Sequence, residues 1–75
     1  MSIIPVINAR KMLAILAKAG FQITRQAGSH IRLQNSVTQR STTVPLHAGD
    51  LSRGLTNGIL RQAGLSNKIF LELLS

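Results

Sequence analysis

The stretch RQAGSHIRLQ, residues 25–34, holds the side chains of this sequence that are best suited to chemistry. A glycine and a serine lead directly into His30, and Arg32 follows two positions later. Residues two apart in a β-strand lie on the same face, so the two side chains would act together. An imidazole can remove a proton from a hydroxyl group, and an arginine can stabilise negative charge that develops on phosphorus. This is the minimum needed to cleave RNA without a metal, because the RNA 2′-hydroxyl lies next to the phosphate that it attacks.

Both histidines also have simpler interpretations. His30 is also compatible with a solvated polar residue that ends a turn, and composition alone favours that interpretation over catalysis. His47 follows a predicted strand, where it could protonate the leaving 5′-oxygen or could be a loop residue or a phosphate contact.

Charge is the strongest signal in the composition. Nine lysines and arginines stand against two acids, so the formal net charge is +7. Six of the nine are arginines, whose planar guanidinium donates two parallel hydrogen bonds to a phosphate. The excess indicates a polyanionic partner, either nucleic acid or an acidic protein, although positive charge can also serve solubility alone. The candidate RNA contacts are Arg32, Lys11, Lys18, Arg53, Ser29 and His47.

What the sequence lacks disfavours other classes of protein. There is no cysteine, and two histidines with two acids form no recognisable set of metal ligands. No cofactor motif occurs, and no apolar run approaches the ~20 residues that span a bilayer. The start of the chain does not resemble a signal peptide. We therefore expect one cytoplasmic domain over residues 1–75, without a metal, a cofactor or a membrane.

The first helix is predicted over residues 9–19. Asn8 can cap its N-terminus, and Gly20 is expected to end it because glycine accepts the left-handed conformation. Lys11 and Lys18, seven positions apart, share its solvent face. The positions that keep the spacing of one buried stripe are Ala9, Met12, Leu13 and Leu16.

A β-hairpin is predicted next, with residues 27–29 as a three-residue turn centred on Gly28. Symmetry about that glycine gives the cross-strand pairs Ile23–Leu33, Thr24–Arg32 and Gln26–His30. This register buries Phe21, Ile23, Ile31 and Leu33. His30, Arg32 and Gln34 then share the solvent face, and Arg25 is a misfit on the apolar side.

The remaining elements complete an α+β fold. Residues 42–47 read as a third strand, at the sheet edge because Pro45 cannot donate to a ladder. A second helix is expected over residues 55–63, ended by Gly64, and Ser66 can cap a short last helix. We therefore expect a helix, a three-stranded antiparallel sheet, a helix and a short C-terminal helix, with the helices on one sheet face.

Four stretches follow one another along the chain and together cover nearly its full length: KMLAILAKAGF, RQAGSHIRL, TTVPLHAGDLSRGLTNGILRQAGLS and FLELL. Together they resemble the HicA, or YcfA-like, family of toxins from bacterial toxin–antitoxin pairs. The resemblance implies a fold similar to double-stranded-RNA-binding domains and a metal-independent mRNA interferase, which is an endoribonuclease. It also implies that His30, in the motif Gly28-Ser29-His30, is catalytic, and that a HicB-type antitoxin inhibits the protein.

One stretch departs from the family pattern. After His47, relatives often carry several lysines, whereas this chain supplies only Arg53, so we expect RNA contacts there to be weaker or differently placed. Two further interpretations stay open, namely a non-catalytic RNA-binding module of the same fold and an adaptor whose basic face binds only a protein. An imidazole at position 30 favours the nuclease, because a module that only binds RNA does not need one.

Overall fold

The computed structural model describes residues 4–46 and 49–74. Its elements are α1 (Ala9–Lys18), β1 (Gln22–Ala27), β2 (His30–Asn35), β3 (Arg40–Pro45), α2 (Arg53–Ala63) and α3 (Asn67–Leu74). The strands form one antiparallel sheet in the order β1-β2-β3. The predicted α+β order is confirmed, and it is the helix–three-strand–helix order of a double-stranded-RNA-binding-like fold with a short helix added.

Helix α1 begins and ends where its local sequence predicts. The Asn8 side chain accepts a hydrogen bond of 2.8 Å from the backbone N–H of Lys11 and caps the first turn. Gly20 takes a φ of 100° just beyond the last turn, which a residue with a Cβ rarely adopts. The buried face differs slightly from the predicted stripe, because Ile15 is fully buried while Leu13 is half-buried.

The helices cover one face of the sheet and form the core with it. Helices α1 and α2 both pack on β3, and α3 packs on α1. Strand β2 alternates between buried and exposed residues, with Ile31 and Leu33 on the covered side as predicted. The main core residues of the two layers are Met12, Ile15, Leu16, Ile31, Leu33, Val44, Ile59, Leu60 and Phe70. None of the helices in the described part of the chain is long and apolar enough to cross a membrane.

The hairpin differs from the predicted one in its turn. The turn has two residues rather than three, because β1 ends at Ala27 and β2 begins at His30. Gly28 has a φ of 59° and Ser29 a negative φ, which is the pattern of a type II′ turn with glycine in its first central position. The predicted three-residue turn is therefore wrong, although the glycine serves the same steric purpose.

The shorter turn also changes the register of β1. Ile23 pairs with Leu33 as predicted, but a bulge at Thr24 then shifts the pairing by one residue. The predicted pairs Thr24–Arg32 and Gln26–His30 are wrong; the observed ones are Arg25–Arg32, Gln26–Ile31 and Ala27–His30. A slip of one residue moves a side chain to the other face of a sheet, so Arg25 is no misfit but faces solvent with Arg32.

The predicted burial of Ile23 is also wrong. Its side chain is 58% exposed, although its cross-strand partner Leu33 is 1% exposed. All six residues of β1 are exposed, because β1 is an edge strand and the helices pack mainly over β3. The polar/apolar alternation of the sequence marks which face Ile23 belongs to, but not whether a helix covers that part of the face.

Each of the two C-terminal helices begins after a serine whose hydroxyl caps its first turn. The Ser52 hydroxyl accepts a hydrogen bond of 3.1 Å from Leu55 N–H, so α2 begins two residues before its predicted start. Gly64 ends it in the left-handed conformation, as predicted. The Ser66 hydroxyl accepts from Ile69 N–H at 3.2 Å, and the short helix that follows returns Phe70 to the core.

Asn35 joins the far end of β2 to the helical layer. Its Nδ2 donates a hydrogen bond of 3.2 Å to the carbonyl of Ala19 at the end of α1. Its Oδ1 accepts from the backbone N–H groups of Val37 and Thr38, which shapes the connection to β3. This buried amide fixes the position of β2, the strand that carries His30, relative to α1.

Candidate active site

The sheet face opposite the helices is lined by polar and small side chains. Because paired residues of antiparallel strands lie on the same face, each exposed residue of β2 has one neighbour on β1 and one on β3. From the turn downwards the three rows are Ala27–His30–Pro45, Arg25–Arg32–Thr43 and Gln22–Gln34–Ser41. We call this surface the open face. The predicted placement of His30, Arg32 and Gln34 on one exposed face is confirmed.

His30 lies in the first row, directly after the turn. The carbonyl of Ser29 accepts a hydrogen bond from Leu46 N–H, so the Ser29–Leu46 pair is hydrogen-bonded and the next pair, His30–Pro45, is not. Pro45 therefore sits opposite the histidine at a position where β2 needs no N–H donor. On the other side Ala27 ends at its Cβ and leaves space beside the imidazole. The arrangement makes the imidazole accessible from solvent.

Two arginines lie opposite each other in the second row. Arg32 Nη2 donates a hydrogen bond of 3.3 Å to the Ser41 hydroxyl, which directs its guanidinium towards β3. Arg25 stands on the β1 side and is exposed. Thr24 Oγ1 donates to the carbonyl of Arg32 at 3.4 Å, so the bulged residue is tied to the same position of β2. Sequence reasoning missed Arg25 because no residue of β1 marks the bulge.

The open face is cationic. The three strands contain no aspartate or glutamate. Asp50 forms an isolated backbone β-bridge with Asn8 at the start of α1, and Glu72 belongs to α3. The sheet therefore presents an imidazole and two guanidinium groups without a carboxylate from its own strands, which suits an anionic ligand.

Comparison with known protein families adds a decisive observation. The family model described as HicA toxin of bacterial toxin–antitoxin matches residues 9–65. The match covers most of the chain and includes α1, the sheet and α2. This chain belongs to the HicA toxin family. It is therefore the toxin of a toxin–antitoxin system, as the four stretches of sequence implied. A search among curated proteins found no match.

The two lysines and Arg53 among the candidate RNA contacts of this HicA-family chain lie away from the open face. Lys11 and Lys18 are exposed on α1, in the layer behind the sheet, and Lys18 Nζ donates to the carbonyl of Leu73 at 3.2 Å. Arg53 is the first residue of α2 and is exposed there. His47 lies outside the described residues. The structure thus brings His30 together with Arg32 and Arg25 and leaves the three other cations in the helical layer.

The described residues offer no evident metal site. Over residues 4–46 and 49–74, no three histidine, cysteine, aspartate or glutamate side chains come close enough together to hold an ion. The chemistry that this HicA-family chain can supply from the open face is proton transfer by an imidazole and charge stabilisation by guanidinium groups.

Proposed function

We propose that this HicA-family toxin is a metal-independent endoribonuclease that cleaves mRNA, with His30 as the general base. The observation that carries the proposal is the position of His30, exposed on a cationic face one row from two arginines. Solvation alone does not require a histidine between Ala27 and Pro45, whereas a base that must reach an RNA strand needs such an open position. The family match supports the toxin role, and cleavage of mRNA is the chemistry that the face suits best.

The proposed reaction uses the RNA as its own nucleophile. The neutral imidazole of His30 removes the proton of a 2′-hydroxyl, and the 2′-oxygen attacks the adjacent phosphorus. Arg32 donates to the non-bridging oxygens, where negative charge builds up as the new P–O bond forms. The bond from phosphorus to the 5′-oxygen then breaks, and that oxygen takes up a proton from His47 or from water. The products are a 2′,3′-cyclic phosphate and a 5′-hydroxyl end.

RNA binding is proposed to rest mainly on phosphate contacts. The chain has no tryptophan or tyrosine, and both phenylalanines are buried, so bases have no exposed aromatic ring to stack on. Arg32 is the first contact because it shares a face with His30. Ser29 lies beside His30 at the turn, and the layer behind the sheet adds the peripheral contacts Lys11, Lys18 and Arg53.

The inhibitor of this toxin is proposed to be a HicB-type antitoxin that covers the open face. A toxin of a toxin–antitoxin system has a partner antitoxin, and a net charge of +7 favours an acidic surface on that partner. Such a surface would compete with RNA for the same arginines. We further propose that residues 1–75 act as one toxin domain in the cytoplasm, where mRNA is present.

Incubation of the purified chain with RNA in excess chelator tests the proposal. We expect cleavage to continue, because every step is assigned to groups of the protein and of the RNA. The new ends should be 2′,3′-cyclic phosphate, or the 3′-phosphate derived from it, opposite a 5′-hydroxyl. A His30→Ala variant purified in parallel controls for contaminating nucleases.

Two results would contradict this reaction. Products with 3′-hydroxyl and 5′-phosphate ends would point to an activated water, which commonly requires a metal. RNA that is bound but stays intact in every buffer would instead support the second candidate, an RNA-binding module without catalysis. The exposure of all nine cations, spread over sheet and helices, favours that alternative.

A further inference from the structure

We propose that Arg25 and Arg32 form a two-arginine subsite that grips one RNA phosphate, the group whose neighbouring 2′-hydroxyl faces His30. The ligand class is a phosphodiester, and in naming RNA the inference rests on the proposed function. It adds Arg25 to the substrate-contacting residues and assigns a functional role to the irregular pairing of β1.

The turn and the bulge together account for this position of Arg25. With the regular pairing of Ile23 and Leu33 continued towards the turn, Thr24 would oppose Arg32 and Arg25 would turn towards the helices. The two-residue turn sets the pair Arg25–Arg32 on the open face, and the bulge at Thr24 joins that register to the Ile23–Leu33 pair. Bulges commonly re-aim a side chain next to a functional site.

The two arginines form an unfavourable pair unless an anion lies between them. Residues directly opposite on antiparallel strands have Cβ atoms about 5 Å apart, and like charges there repel each other. The hydrogen bond to Ser41 draws the guanidinium of Arg32 towards β3, away from Arg25. Within residues 4–46 and 49–74 the side chain of Arg25 has no hydrogen-bonding or ionic partner. A phosphate placed between them can accept from both guanidinium forks and remove the repulsion.

The distance to His30 suits this role. Adjacent rows on one face of a strand are about 6–7 Å apart, a span that the long arginine side chains bridge easily. A phosphate held by the second row therefore lies beside the first row, and its neighbouring ribose reaches the imidazole. The small Ala27 next to His30 leaves room for that ribose.

Binding measurements in a His30→Ala background test the subsite without cleavage of the probe, a short single-stranded RNA. Adding Arg25→Ala should weaken binding by about tenfold or more, since hydrogen bonds to charged groups contribute at that level. The salt slope should change by less than one phosphate contact, because Arg32 still neutralises the same phosphate. Arg25→Lys keeps the charge but loses the planar fork. Its RNA affinity should therefore lie between that of the protein with Arg25 and that of the Arg25→Ala variant.

Three comparisons separate the subsite from a general loss of charge or of fold. Arg10→Ala removes the same charge from the exposed face of α1 and should leave affinity nearly unchanged. The melting temperature of Arg25→Ala should stay equal or rise, because the substitution relieves repulsion. The last comparison is a double variant, Arg25→Ala with Arg32→Ala. If both arginines hold one phosphate, the factor by which its RNA affinity falls should differ clearly from the product of the factors of the two single variants.

The outcomes also distinguish this inference from the proposed function. If the native chain cleaves RNA and Arg25→Ala binds and cleaves like the parent, the subsite is wrong while the nuclease stands. If the native chain binds RNA without cleaving it, and the Arg25→Ala and Arg32→Ala losses of affinity are not independent of each other, the subsite stands while the nuclease is wrong. The shared subsite is wrong if the loss of RNA affinity in the double variant equals the product of the two single losses. It is also wrong if Arg25→Ala weakens antitoxin binding but leaves RNA binding unchanged.

Discussion

His30 is the residue on which the proposed chemistry depends. We predict that His30→Ala removes RNA cleavage, with a loss of at least about 10²–10⁴ in rate, the usual contribution of general acid–base catalysis. The imidazole is exposed, so its removal opens no core cavity and should leave folding, RNA binding and antitoxin binding nearly intact. Single-turnover cleavage of a labelled RNA, together with a thermal unfolding curve, measures both effects.

Gln34→Ala is the matched control for that experiment. Gln34 lies on the same strand and the same open face, two rows from His30, and it is also exposed. Its truncation should therefore leave the cleavage rate within a few-fold of the parent. A His30→Ala protein that cleaves as fast as the parent would show that another group takes the proton.

At the scale of elements, the sheet is covered unevenly, and stability should reflect this. Leu33 and Ile23 are cross-strand partners on the same face, but Leu33 is buried against the helices while Ile23 is largely exposed. We predict that Leu33→Ala lowers the free energy of unfolding by roughly 2–5 kcal/mol, since it leaves a cavity between sheet and helices. In so small a domain that is a large share of a typical total of about 5–15 kcal/mol.

Ile23→Ala provides the comparison on the other strand of the same pair. Because its side chain is mostly in water already, its truncation should cost less than about 1 kcal/mol. Chemical denaturation of both variants gives the two changes in the free energy of unfolding, provided that this free energy falls with denaturant concentration at the same slope in each variant. Equal losses would mean that the helical layer extends over β1, and that the edge strand is less open than the geometry indicates.

At the scale of the whole molecule, net charge governs the encounter with RNA. All nine lysines and arginines are exposed, against two acids in the entire chain. We predict that RNA affinity, measured with His30→Ala, falls steeply as salt rises. The slope of the logarithm of affinity against the logarithm of salt, divided by about 0.7, counts the phosphates neutralised on a single strand. An affinity that hardly changes with salt would rule out phosphate contacts as the main source of binding.

Features that depend on a few neighbouring residues could be predicted from the sequence. The Asn8 cap, the left-handed Gly20 and Gly64, and the alternation that buries Ile31 and Leu33 all follow from local chemistry, because each depends on contacts within one or two turns or pleats. The same locality explains why His30 and Arg32 could be assigned to one exposed face, since residues two apart in a strand always share a face.

The register and exposure of β1 could not be predicted, because both depend on contacts that are distant in sequence. A two-residue and a three-residue turn are both compatible with Ala27-Gly28-Ser29, and the choice between them shifts the register of Arg25 by one residue. The exposure of Ile23 depends on where α1 and α2 pack, which is mainly over β3 at the other side of the sheet. The cationic pair beside His30 therefore arises from long-range packing and strand pairing, which no short stretch of sequence encodes.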